Sequence, residues 1–397
     1  MLIPVILVAQ QNDSIQYIDS LVEVLINERR NWNEASRLLM GAGDAAVGPL
    51  LEVITDKSIP EWPRRKVAFT LAEIPSQRVV EPCIHIFQDP EENINLRIDV
   101  SKALKGKDIS SYENIFLEAA GDQNPFMRLA AIQKIWSIGS FQALKIAYKA
   151  TQDNHNLIRR GGYEYLSRYE DDSVSQALLN GLFDKDWYVK AFIFTALIKR
   201  GETVARSLKK ISENPEYGES IRWSALSILR KTDTCQDIEF FLNMLVQPGW
   251  MIRNEATLAL YERKDSVHLI ELISRVGSLD SSQKYSIFWL IGSMAAEGSI
   301  PWLEAQLKDP ECGWMAAVAL GLSHSEQASG PLIEGLKDPD NRKKRACLWA
   351  LTHIGTGDGN IYIPFLQDND PELVRLALSG LNQLETSEAR EALKDFK

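Results

Sequence analysis

The chain has 397 residues, 45% hydrophobic and 25% charged, with a formal net charge of −10. That acidic balance argues against wrapping a phosphate backbone, because such affinity rests on Lys and Arg displacing counterions, and no long basic run offers a local exception. Four cysteines, Cys83, Cys235, Cys312 and Cys347, form no CxxC pair, which argues against a thiolate zinc site and demands no oxidising compartment.

The first ten residues, MLIPVILVAQ, are apolar but too short to span a bilayer. They end in Ala9-Gln10, similar to a signal-peptide cleavage edge, yet lack a basic n-region. Residues 1–13 are therefore read as an apolar N-terminal segment, either a signal remnant or a disordered stretch. Residues 14–397 are read as one continuous array. No other segment has 18 uninterrupted apolar residues, so no membrane span is expected.

Ser14 is the expected N-cap of the first helix, with Ile15, Ile18, Leu21, Val22 and Leu25 on one face. A partner helix over Glu34–Met40 ends at the turn Gly41–Asp44. Residues Gly48–Asp56 then show a form that recurs downstream: proline near a helix start, paired aliphatics, an acidic turn. Pro82, Pro301, Pro331 and Pro364 open such stretches, since a first-turn proline forfeits no helical hydrogen bond. The Asp-Pro pairs at 89–90, 309–310, 338–339 and 370–371 are expected to cap the following helices. Gly106, Gly139, Gly201, Gly292, Gly321 and Gly355 are expected to close the second helices in the left-handed conformation.

The basic residues Arg97, Arg128, Arg159, Lys190, Arg222, Arg253 and Lys284 recur at spacings of 31, 31, 31, 32, 31 and 31 residues. Seven residues after each stands an apolar marker, such as Ile135, Leu166 or Leu260. The marker column runs from Leu71 to Leu381 and, with the first helix pair, counts about twelve units of helix, acidic turn, helix, glycine turn. One such unit cannot bury both faces of its helices, so neighbours must stack to make the core. Ala131, Ala225, Ala256 and Ala316 would allow close helix approach. Arg159-Arg160-Gly161-Gly162 places two glycines inside an expected helix. Each costs about 1 kcal/mol of propensity relative to Ala, which suggests close helix contact or a local opening.

The pattern of acidic turn, Val/Ile-Arg, Ala, Ala-Leu, Ile-Gly resembles HEAT repeats, and its short unit is similar to the phycobilin-lyase type of HEAT-like repeat. The resemblance covers nearly the whole chain. It implies an all-α fold, an α-solenoid (HEAT-like superhelix) of about twelve two-helix repeats with second helices on the concave face. It also implies a polar ladder between repeats through Asp153, Arg159, Asp184, Lys190, Asp338, Arg345, Asp370 and Arg375.

No catalytic constellation stands out. His85, His155, His268, His324 and His353 are dispersed, and none is followed by Glu. The iron-binding His-Glu pairs of deoxyhypusine hydroxylase, a HEAT-repeat enzyme, are thus missing. Gly355–Gly359 reads as a turn, because it follows a helix and lacks the Lys-Ser/Thr of a nucleotide loop. No metal and no cofactor are expected.

One further regularity is aromatic. Trp62, Phe126, Trp187, Trp250 and Trp314 lie 64, 61, 63 and 64 residues apart, every second unit. They should stand at the mouths of second helices, either as partner-binding residues or as plugs between repeats. The reading is of a non-enzymatic protein-interaction scaffold that takes a protein partner, with no nucleic acid. A cytoplasmic location is expected, or a periplasmic or secreted one if residues 1–13 are a signal remnant. The alternative is a phycobilin lyase-like attachment factor, since Tyr285–Gly292, YSIFWLIG, is similar to the aromatic second helices of that family. Under that alternative a bilin would be the small molecule bound. A likeness to HEAT-like alkyl-DNA glycosylases is opposed by the acidic balance.

Overall fold

In a computed structural model of the protein, every described element is helical. The structure describes residues 3–28, 31–232, 237–264, 267–295, 298–356, 358–384 and 386–395, with side chains from residue 15 onward except at 278 and 395. Cys235 and Phe396 lie outside the described residues. The helix expected to open at Ser14 runs from Ile3 to Asn27.

Met1–Ala196 and Leu197–Lys397 form two compact units. In the first, the second helices of successive repeats, Glu61–Ala72, Ile94–Ala103, Pro125–Ile138 and Asn156–Leu166, pack on one another in chain order. The first helices Val47–Thr55, Val80–Gln88, Glu113–Ala119 and Phe141–Ala150 each cover their own second helix. The other unit repeats the plan. Its second helices are Glu219–Lys231, Trp250–Tyr261, Ser281–Met294, Gly313–Leu322, Asn341–Ile354 and Pro371–Gln383. Short 3₁₀ turns over Gly359–Ile361 and Ile363–Phe365 replace the last first helix. Counting Ile3–Asn27 with Trp32–Ala42, and Asp172–Gly181 with Trp187–Arg200, the described residues hold eleven α-helix pairs and a twelfth repeat in which the 3₁₀ turns stand before Pro371–Gln383.

The apolar marker column is the spine of this packing. Leu71, Ile135, Leu166, Leu229, Leu260, Ile291, Leu320, Leu351 and Leu381 are all fully buried, and each such side chain stabilises by about 1.5–3 kcal/mol. Ala131, Ala225, Ala256 and Ala316 are buried too. The stretch Trp32–Thr55 is long and apolar enough by composition to cross a membrane. Here a 3₁₀ turn at Gly43–Ala46 divides it, and Leu39, Val47, Leu50 and Ile54 are buried in the first repeats.

A polar ladder links successive repeats within each unit, donating forward. Arg128 forks onto Asp153 through Nε and Nη2 at 2.9 and 2.8 Å, and Arg159 onto Asp184 at 2.7 and 2.8 Å. Each Nη1 also donates to two backbone carbonyls of its own turn. Arg345 reaches Asp370 at 2.7 Å. Arg64 does the same with Glu92, a partner in the equivalent turn. Three expected members differ, Lys190 first among them, with no side-chain hydrogen bond or ion pair to a described residue. Asp338 pairs with Lys343 of its own repeat, and Arg375 pairs with Glu372 three residues away on its own helix.

Turn chemistry departs from expectation at identifiable places. Of the four Asp-Pro pairs, only Asp370 caps the next helix directly, accepting from Glu372 N at 3.0 Å with Pro371 in the first turn. Asp89, Asp309 and Asp338 bond to the amide two residues on. Their helices begin later, from Asn93, Cys312 and Asp340. Gly139 and Gly355 are left-handed as expected, and Gly106 has positive φ. Gly201 combines a φ of 56° with a ψ of −123°, a conformation open to glycine but outside the left-handed helical region. Gly292 and Gly321 are not left-handed; they lie inside helices, where a Cβ would meet the backbone of Ala319 and Ala350 on the next second helix. The left-handed positions nearby fall to Ala295 and His324, at φ of 47° and 51°. Gly161 and Gly162 likewise sit in an unbroken helix, Asn156–Leu166. A Cβ on Gly162 would stand 2.8 Å from the Ala147 carbonyl oxygen, so close packing accounts for that glycine.

Candidate aromatic groove on the second helices

All five periodic aromatics stand in the first turn of a second helix. Trp187 and Trp250 are the first residues of theirs, and Trp62, Phe126 and Trp314 the second of theirs. Four are strongly exposed: Trp187 at 77%, Trp250 at 67%, Trp62 at 56% and Phe126 at 51%. Plugs in the core would be covered, so these four do not fill gaps between repeats. Trp314 differs. Its ring is half-buried, stacked on Tyr285 at 5.3 Å and 16°, with the Arg342 guanidinium 3.7 Å above its centroid.

Trp250 and Trp314 border one groove of about 610 Å³, carried by the second helices of four successive repeats. Tyr285 and Trp289 rise from the helix between them, and Asn254 lies one turn beyond Trp250. Trp62 lines a separate hollow of about 400 Å³ in the first unit, with Trp32 and Phe69 edge to face at 6.1 Å. There Arg65 lies 5.7 Å over Trp62, and Lys66 the same distance over Trp32. Phe126 packs edge-on to His155, and Trp187 on Tyr188; neither borders these two hollows.

The groove's electrostatics are one-sided. Its lining includes Arg253 and Arg342 and no carboxylate. Arg253 is only 8% exposed. Its Nη1 donates to the Gln247 carbonyl at 3.1 Å, while its buried Nε has no partner among the described residues. Leaving a buried donor without an acceptor is costly, even though the Arg253 charge acts on the Asp280 carboxylate at the rim. The carboxylates at the rim are occupied. Asp280 caps the Ser281–Met294 helix through the amides of Ser282 and Gln283, which with the Ser282 hydroxyl hold its carboxyl below the usual range. Glu311 accepts from Lys284 at 2.8 Å and Ser281 at 2.7 Å, and is held low by both.

Among the described residues, no three of His, Cys, Asp and Glu gather as a metal site. Cys83, Cys312 and Cys347 are buried and free. Burial pushes the thiols of Cys83 and Cys347 up to about 12, so neither is a thiolate nucleophile near neutral pH.

Sequence periodicity located the aromatics at helix mouths but not the residues that complete the groove. A sharper signal was present. Positions one and five residues after the basic marker read Asn254 and Leu258, then Tyr285 and Trp289. These lie on one helical face, and aligning repeats on the marker rather than on tryptophan brings them together.

No family model matches the chain, and no curated protein matches it. Solved structures do. Kap121p aligns at 13% identity over 97% of this chain and 50% of its own, with a TM-score of 0.57. Kap121p bound to Nup53p gives 13% identity, 97% and 51% coverage and a TM-score of 0.58. Karyopherin Kap121p bound to the SUMO protease Ulp1p gives the same values. The chain thus spans about half the length of the chains it matches. At this identity the likeness is one of fold, and that fold is the HEAT-repeat α-solenoid.

Proposed function

We propose that this protein is a non-enzymatic interaction scaffold that holds an extended segment of a partner protein on its second-helix face. The observation that carries the reading is the groove between Trp250 and Trp314, where exposed Trp250 and Tyr285 and half-buried Trp289 and Trp314 stand among mostly polar side chains. Exposed Trp and Tyr beside Arg are what protein interfaces concentrate as anchors. An exposed amide such as Asn254 supplies both a donor and an acceptor for the main chain of an extended peptide. Kap121p, similar in fold, is described in complex with Pho4p, Nup53p and Ulp1p. The proposal puts the protein in the cytoplasm, where free thiols such as Cys83 persist.

A bilin-handling role is the second reading. The segment carrying it, Tyr285 to Trp289, borders the same groove, and a planar, carboxylate-bearing tetrapyrrole would suit stacked rings flanked by arginines.

A photo-crosslinking residue placed at Asn254 or Ser286, in cells, separates these. Ile270, 80% exposed on a first helix, is the control position. Crosslinks to one protein from 254 and 286 but not from 270 support the scaffold. Equal crosslinking from all three removes the groove from the proposal. A visible chromophore in the purified protein, lost with Trp289→Ala, transfers it to the bilin reading.

A further inference from the structure

We infer that the groove selects a peptide segment in which an Asp or Glu side chain lies next to an aromatic or large aliphatic one, the carboxylate being held by Arg253 and Arg342. This rests on the peptide-binding reading above and gives it a chemistry.

Three observations converge. Arg253 carries a buried charge whose Nε finds no acceptor among the described residues, and it lines the groove. That Nε is closed to solvent, so a ligand carboxylate in the groove would meet Arg253 through Nη2, for which no described residue supplies an acceptor. Charge-assisted bonds of this kind are about twice as strong as neutral ones. The Arg342 guanidinium carbon lies 3.7 Å over the Trp314 ring, which is itself stacked with Tyr285; at that separation the guanidinium packs on the ring as a stacked group. Stacking uses the face of the guanidinium and leaves its in-plane N–H groups free to fork onto a carboxylate. No side-chain hydrogen bond ties Arg342 to the described residues, and Asp340 next to it spends Oδ1 on the Arg342 backbone amide. Finally, Trp250 and Trp289 offer ring faces with no charge of their own, fit for an apolar neighbour of the carboxylate.

The opposite choice, a basic peptide laid on the tryptophans by cation–π attraction, is disfavoured by the same geometry. Trp314 already carries a cation at 3.7 Å. A second positive charge would face Arg342 and Arg253, with Asp280 and Glu311 committed to helix capping and to Lys284. Like charges brought together at an interface work against association and so set specificity.

The test pans random dodecapeptides displayed on phage against the full chain. The enriched sequences should place Asp or Glu within about two residues of Trp, Tyr, Phe or Leu. A synthetic consensus peptide, followed by fluorescence anisotropy, should bind wild type with an affinity that falls as salt rises. Arg342→Glu should weaken it by about tenfold or more, with Arg342→Gln intermediate. Trp250→Ala should weaken it as well and melt at the wild-type temperature, while the two Arg342 variants, which give up the contact with Trp314, should stay folded and melt at most a few degrees lower. A basic consensus overturns the carboxylate assignment but leaves peptide binding standing. So does an acidic one that binds Arg342→Glu as tightly as wild type. No enrichment over the unpanned library overturns both.

Discussion

A Cβ placed on Gly292 would stand 2.6 Å from the Cα of Ala319 on the neighbouring second helix. Atoms of that kind do not approach so closely, so the two helices touch only because residue 292 has no side chain. Gly292→Ala must push apart the helix bearing Tyr285 and Trp289 from the one bearing Trp314. We expect a loss of about 1–3 kcal/mol in urea unfolding, as for other overpacked cores, together with a changed tryptophan emission. Gly277→Ala, into open space at an ordinary φ, should leave the midpoint in place.

The ladder should dominate acid sensitivity. The side chains of Arg159 and Asp184 are 6% and 5% exposed. Burial alone would raise the Asp184 carboxyl, but the Arg159 bonds and the Asp186 amide bring it below the usual carboxylate value. A group depressed in the folded state stabilises fully above its unfolded pKa, about 3.9, and loses that contribution as pH falls through the lower folded value. Asp184→Asn should therefore cost about 3–5 kcal/mol at pH 7, as when one partner of a buried pair is removed. It should also flatten the fall in melting temperature below about pH 4. Removing the exposed pair Glu34–Arg37 should change neither measurement.

Lys134 works in the opposite direction. It is 8% exposed, and burial, with Lys107 and Lys105 nearby, lowers its amine to about 8. Between that value and the unfolded pKa of about 10.4, the unfolded chain binds the extra proton. Stability attributable to this group therefore rises with pH across that window. Lys134→Met should raise the melting temperature at pH 7 by removing a penalty on the order of 3 kcal/mol. It should also erase the rise between about pH 8 and 10. An unchanged pH profile in the variant would show that Lys134 is not the group responsible.

The periodic aromatics should separate in stability as they do in exposure. Trp187→Ala and Trp250→Ala, with rings 77% and 67% exposed, should unfold at nearly the wild-type urea concentration. Trp314→Ala loses its stack with Tyr285 and its contact with Arg342, and the aromatic pair alone is worth about 0.5–1.5 kcal/mol. If Trp187→Ala and Trp250→Ala were the more damaging, those rings would be buried in solution.

The sequence made the architecture readable because one apolar column, from Leu71 to Leu381, and one basic column repeat at nearly constant spacing. Stacking demands both. The resemblance, not the spacing, placed Asp153, Arg159 and Asp184 in the ladder; Arg128 and Arg64, which also donate to the next turn, were not among the expected members. Departures arose where a residue serves two neighbours at once. Gly292 and Gly321 have the composition of helix stops, yet the next helix, not the chain's own turn, sets their role. Asp89, Asp309 and Asp338 bind a nearby amide first, and the chain takes further residues to enter the helix. The groove was only half visible. Trp250 and Trp314 were marked by period, whereas Arg253 was only one member of the basic column, and only the fold reveals that its Nε is left without an acceptor.

The forward-donating ladder also governs how such a chain can change length. Arg128 and Arg159 each reach a carboxylate 25 residues ahead, and the two arginines are 31 residues apart. Excising one such 31-residue block between equivalent points would place Arg128 in register with Asp184, every rung intact. Excising any fraction of a block would strand a buried guanidinium without its acceptor. Growth and shrinkage of this chain are therefore tolerated in whole repeats and penalised otherwise, so its size is quantised by the same contacts that hold it together.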